Sequence, residues 1–191
     1  MFHVVLPTPT MGQFQKVAQQ YSTKWNFPNC IGAIDGKHIR IKSSKNSGSL
    51  FYNYKDYHSM VMLAVVDADC KFTAVDVGSY GREGDAGIYL KSEIGRRIKN
   101  NTFNVPPPKA LPGTDTVIFP HVIVGDEAFA LHQNLMKPYQ GNSHCMMLQK
   151  QFIIIGCLEL DGQPKMLLEY YAVISAFFVQ FQLLQKQQKK L

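Results

Sequence analysis

The sequence predicts a mixed α/β fold. Three observations carry that expectation: an amphipathic helical stretch near the start, two apolar strands joined by a short acidic turn, and further strands reached only through helical segments. Strands joined as a hairpin and strands joined through helices imply one sheet with both antiparallel and parallel neighbours.

In chain order, "MGQFQKVAQQYSTKWNF" places Phe14, Val17, Tyr21 and Trp25 at spacings of three and four, one face of a helix. "PNC" ends it. "IGAIDGKHIRIK" supplies Ile34, Ile39 and Ile41 for a strand that the turn pair Asp35-Gly36 is expected to interrupt. The polar run "SSKNSGS" reads as a loop. "YHSMVMLAVVDADCKFTAVDVG" reads as two strands with a turn at Asp67-Ala68-Asp69. "GDAGIYLKSEIGRRIKN" carries Ile88, Ile94 and Ile98 on one helical side, with Arg96, Arg97 and Lys99 near its end, where cations suit the helix dipole. A proline-rich loop, Pro106 to Pro108, precedes the apolar strand "VIFPHVIVGD", after which another helix is expected.

A chain of 191 residues fits one domain with a substantial core, and 46% hydrophobic residues exclude wholesale disorder. The net charge of +6 permits a phosphate-backbone partner without demanding one. Four widely spaced cysteines (Cys30, Cys70, Cys145, Cys157) contain no CxxC pair, so they read as reduced, buried residues and not as a zinc ribbon or disulfide framework. "MFHVVLPTP" lacks the charged start and apolar run of a secretory signal, which makes the nucleus or cytoplasm the expected compartment.

Two acids stand out by context. Asp35 interrupts an apolar strand, and Asp126 closes "VIVGD". Carboxylates on neighbouring strand ends can share a hard divalent cation such as Mg²⁺ or Mn²⁺. Each also has a plainer reading, Asp35 as a turn residue before glycine and Asp126 as a helix cap. Lys37, Arg40, Lys42 and Lys45 cluster near Asp35, either as phosphate contacts or as a solvated basic face. His38 reads as a half-buried strand histidine or a residue pointing at the site. Asp67 and Asp69 read as turn acids, and Glu127 as a first-turn acid.

Three blocks, "WNFPNCIGAIDGKHIRI", "YNYKDYHSMVMLAVVDADCKFTAVDVGSYGREGDAGIY" and "VIVGDEAFALHQNLMKPY", together resemble the nuclease domain of the PIF/Harbinger transposases and of proteins domesticated from them. The resemblance runs from about Gly12 to Gly141. It implies an RNase H-like fold, a mixed central sheet flanked by helices, with its C-terminal part incomplete, over a domain spanning 10–141. It further implies Mg²⁺- or Mn²⁺-dependent chemistry on DNA phosphodiester bonds. Asp35 and Asp126 match the family's catalytic, metal-binding aspartates, and Asp85 matches a further acidic position of less defined role. A separate Myb-like DNA-binding protein is the partner the resemblance implies, alongside DNA itself.

The family's third acid, a Glu on a later helix within a signature of the type "NYRLSRARR..ENAFGIL", has no counterpart in the divergent tail 142–191. The genetic code offers an account. Codons for Ile153 through Gly162, read across their junctions, admit Asn-Tyr-Arg-Leu-Ser-Arg-Ala-Arg-Arg in order. Pro164–Lys165 through Tyr170–Tyr171 then admit Glu-Asn-Ala-Phe-Gly-Ile-Leu. Some junctions are nearly forced, since Tyr followed by Tyr gives only Leu. The expectation is that the reading frame changes near Gly141–His144. Glu159, Asp161 and Glu169 are acids in that region, but among neighbours not selected to aim them at Asp35 and Asp126. The same account explains the apolar run Met166 to Leu184. It is long enough to span a bilayer, yet Glu169, Gln180 and Gln182 dilute it, and no membrane is expected. With two carboxylates in place of three, the expected activity is weak or absent, the alternative being an inactive relative that binds DNA or protein.

Overall fold

The computed structural model describes residues 4–5, 8–42, 49–114, 116 and 118–137, and the tail beyond 141, with its proposed frame change, Glu159, Asp161 and Glu169, lies outside them, as does Lys45. The first helix, α1 (Met11–Trp25), starts at a capping box in which Thr10 Oγ1 accepts from Gln13 N and the Gln13 side chain accepts from Thr10 N. It ends where Asn26 turns left-handed, at φ 47°. Phe14, Val17, Ala18 and Tyr21 form its buried face, as the spacing predicted. Tyr21 Oη donates to Val66 O at 3.1 Å and Trp25 Nε1 to Ala68 O at 3.0 Å, so both aromatic polar tips are satisfied.

The sheet has six strands: β1 (Val4–Val5), β2 (Cys30–Arg40), β3 (Ser59–Val66), β4 (Phe72–Tyr80), β7 (Val122–Val124) and β8 (Leu135–Met136), in the spatial order β1-β4-β3-β2-β7-β8. β2, β3 and β4 form an antiparallel meander, and β7 and β8 add in parallel on the other side of β2. Between β4 and β7 the chain passes through α2 (Asp85–Lys91), α3 (Glu93–Lys99) and a small separate pair, β5 (Lys109–Ala110) with β6 (Ile118–Phe119). A meander continued by parallel strands, with helices packed against it, is the expected RNase H-like mixed sheet.

Two apolar clusters form the core. One joins Phe14, Ile34, Leu63, Ile88, Ile98, Ile123 and Phe129, and the other joins Tyr21, Cys30, Ala33, Phe119, Val122 and Val124. Ile123 belongs to the first while its neighbours Val122 and Val124 belong to the second, so the clusters lie on opposite faces of the sheet. Cys30 is buried and free, as expected. Cys70 lies partly buried in the β3–β4 turn.

Three local expectations are corrected. Asp35-Gly36 does not interrupt the strand: β2 runs unbroken for 11 residues, with Asp35 opposite Ala64 and Gly36 opposite Leu63. The ladder to β3 holds the extended form against local turn preference. The 84–100 helix is two helices, broken at Ser92, which is extended (ψ 155°) and whose Oγ accepts from Gly95 N. After Asp126 there is a turn followed by β8, not a helix, so Glu127 has no helix dipole to favour it. The Asp67 turn is as expected: Asp67 Oδ1 accepts from the amides of Asp69 and Lys71, and Asp69 pairs with Lys24. Among the described residues no helix is long and apolar enough to cross a membrane.

Candidate active site

β2 and β7 run parallel with Ala33 beside Val124. Two residues further along each chain stand Asp35 and Asp126. The parallel pairing therefore carries both residues to the same end of the strand pair. β7 ends at Val124, and the chain turns away at Asp126, whose Oδ1 accepts from Ala128 N at 2.9 Å. That bond fixes the carboxylate at the open end of the strand pair.

Asp85 arrives from elsewhere. It is the first residue of α2, which is anchored on the opposite face through the buried Ile88 and Tyr89, the latter stacked edge-on against Phe129. Its carboxylate lies over the backbone of Gly36: a Cβ at that position would stand 2.1 Å from Asp85 Oδ1 and 2.8 Å from its Cγ. Only glycine leaves that space. Asp85, Asp35 and Asp126 each place one carboxylate oxygen within 4.8 Å of the other two.

Three partly buried carboxylates repel one another. Burial first, and the Asp126 charge second, push Asp85 up to about 6. All three offer hard oxygen donors, the set that suits Mg²⁺ or Mn²⁺. Oxygens on opposite sides of a Mg²⁺ ion stand about 4.2 Å apart, so small side-chain movements would bring this set to ligand distance. The residues therefore fit a divalent cation.

The other residues singled out in the sequence divide by strand alternation. Lys37 shares the side of Asp35; His38 and Arg40 share the side of Gly36 and Asp85. Lys42 lies exposed beyond the end of β2. His38 is not aimed at the acids: its Nδ1 is 2.9 Å from Ser59 Oγ, and burial followed by the Lys55 charge holds its imidazole below the ordinary value. Glu127 is exposed and outside the acid group. Asp76, buried on β4, had no sequence signal to mark it; its Oδ2 accepts from Glu93 N at the start of α3. Sequence reasoning also passed over the hairpin 51–59, although "FYNYKDYH" interleaves aromatics with charge. A cavity of about 700 Å³ between α1 and the proline-rich loop, lined by Gln15, Gln19, Asn29, Pro108, Lys109 and His121, has no carboxylate in its lining among the described residues.

An RNase H-like sheet whose central strands bring acids together defines a nuclease-derived domain. The sequence matches the model of the DDE superfamily endonucleases over residues 34–153, more than half of the chain, and the protein belongs to that family. The curated relative named Protein ALP1-like, from Arabidopsis thaliana, is 29% identical over 137 residues, which cover 68% of this chain and 32% of that protein. The chain thus spans about a third of the length of the relative it matches. No solved structure matches it.

Proposed function

We propose that this domain cuts or joins DNA phosphodiester bonds using Mg²⁺ or Mn²⁺ held by Asp35 and Asp126, with Asp85 beside them. The observation that supports this most is the convergence of the three carboxylates from β2, α2 and the end of β7. When bound, such a cation supplies Lewis-acid stabilisation of phosphoryl oxygens and lowers the pKa of a coordinated water. The chain's own residues do the positioning. Asp35 is held by its place in the β2–β3 ladder, opposite Ala64, and Asp126 by its bond to Ala128 N. Lys37, on the side of Asp35, and Arg40 and Lys42, further along, are proposed contacts to the DNA phosphates.

The same reading makes the chain a weak catalyst. The family's helix-borne Glu is missing from 142–191 as translated, and the proposed frame change near Gly141–His144 accounts for its loss. That absence also favours a second reading, an inactive relative that binds DNA or a protein. A nuclear location, with the cytoplasm as the other compartment, and a Myb-like DNA-binding partner belong to the proposal through the family resemblance.

Plasmid cleavage separates the two readings. The first expects Mg²⁺- or Mn²⁺-dependent nicking that Asp35→Asn and Asp126→Asn each abolish, and that rises at least tenfold when the alternative-frame helix is restored. No nicking by either form, with DNA binding retained, supports the binding module.

A further inference from the structure

Residues 51–59 form a small, closely braced hairpin. Tyr52 and His58 bridge antiparallel, with their rings edge-on at 5.3 Å between centroids. Ser59 N donates to Phe51 O at 2.7 Å, and Asn53 N to Tyr57 O at 3.0 Å. The buried Asn53 side chain ties the tip: its Oδ1 accepts from the amides of Lys55 and Tyr57, and its Nδ2 donates to Ser59 Oγ. Asp56 completes the reversal at φ 61°, a region that aspartate tolerates better than most residues.

This rigid tip holds an aromatic ring out in solvent. Tyr54 is 78% exposed, the highest value among the exposed large hydrophobic residues. A single exposed tyrosine needs no explanation. Here, however, the ring is positioned: it meets His38 edge-on at 5.6 Å, and Lys55 Nζ stands 5.5 Å from its centroid. Beside it the Arg40 guanidinium lies over the Tyr57 ring at 4.4 Å. Lys42 and Arg82 add exposed positive charge, Arg82 through a backbone bond to Leu50 at the base of the hairpin. Asp56 is the acid at the tip, and Glu83 nearby is paired with Lys91.

The place of this tip relative to the acids follows from strand geometry. His38 is the next residue after Gly36 on the same side of β2, about 6.7 Å along the strand. Asp85 covers Gly36, and Tyr54 touches His38. The Tyr54 ring therefore lies along β2 from the acids, beyond a strand step of about 6.7 Å, a separation that a few nucleotides span at the ~3.4 Å rise per base of a DNA strand.

We propose that Tyr54, braced by the Asn53 turn and flanked by Lys55 and Arg40, is a stacking platform for an unpaired nucleobase of a DNA strand whose backbone continues toward Asp35, Asp85 and Asp126. Exposed rings beside cations are what sequence-tolerant single-strand binding uses, since every base presents a π-face and every linkage a phosphate. The proposal rests on the DNA reading above and adds to it a recognition element and a preference for unpaired strand.

The test is fluorescence anisotropy on the full chain in EDTA, with a labelled single-stranded oligonucleotide, the matched duplex, and the same strand carrying abasic sites. Tyr54→Ala should weaken single-strand binding about tenfold and change duplex and abasic-strand binding less than twofold. Tyr54→Trp should restore it. Lys55→Ala should weaken all three and flatten the salt dependence. Equal loss on strand, duplex and abasic strand, or no loss on any, overturns the platform while leaving DNA binding standing. A parent chain that binds none of the three overturns the DNA reading and the platform with it. Because Tyr54 is exposed, circular dichroism of the variant is expected to match the parent.

Discussion

The carboxylate of Asp85 occupies the place a side chain on Gly36 would take, with Oδ1 2.1 Å from where that Cβ would stand. One residue type on β2 therefore decides whether an acid from α2 can join Asp35. Gly36→Ala is expected to push Asp85 away from the cluster. Mn²⁺ affinity should fall about tenfold and stability by about 1 kcal/mol, the low end of an overpacking penalty. Mn²⁺ titration followed by electron paramagnetic resonance, with thermal melts, measures both.

The upward shift of Asp85 to about 6 carries a sign. Between the ordinary carboxylate value and 6 the folded chain binds a proton that the unfolded chain has released. This group's contribution is therefore fully present below about pH 4 and is lost as pH rises through 6. His38, His121 and His132 act in the opposite direction, since burial lowers all three, so their contribution is lost as pH falls. Comparing Asp85→Asn with the parent isolates the carboxylate. In EDTA, the variant's advantage in denaturant midpoint should grow from pH 4 to pH 7. With Mn²⁺ present the order should reverse at pH 7.

Asn53 braces the hairpin through its side chain: Oδ1 accepts from two amides, and Nδ2 donates to Ser59 Oγ and stands 3.5 Å from His38 Nδ1. Asn53→Ala should cost about 2 kcal/mol, because it leaves two amides and a hydroxyl to find other partners. Faster amide exchange at Lys55 and Tyr57 should accompany the lower melting temperature. Unchanged exchange there would mean that the turn is held by its backbone alone.

Much of this site was legible in the sequence where residue context is local. Asp35 and Asp126 stood out because each places a charge inside an apolar run, and the order of elements implied the mixed sheet. Asp85 was marked only by family resemblance, since nothing near "REGDAGIY" reveals that a glycine far upstream leaves room for it. Asp35-Gly36 looked like a turn because turn chemistry is read over two residues. The ladder to β3, which pairs Asp35 with Ala64 and Gly36 with Leu63, overrides it. Asp126 looked like a helix cap for a similar reason: an Asp accepting from the amide two residues on starts a turn as readily as a helix. Strand alternation directs Lys37 and Arg40 to opposite sides of β2, a detail that their spacing in sequence contains.

Asp35 and Asp126, with Asp85 beside them, form the proposed cation site. Mn²⁺ titration of the parent, the three single Asp→Asn variants and the triple variant decides whether they do. Saturable binding is expected in the parent, a loss of at least tenfold in each single variant, and no specific binding in the triple variant. Equal binding by the parent and the triple variant would rule the site out.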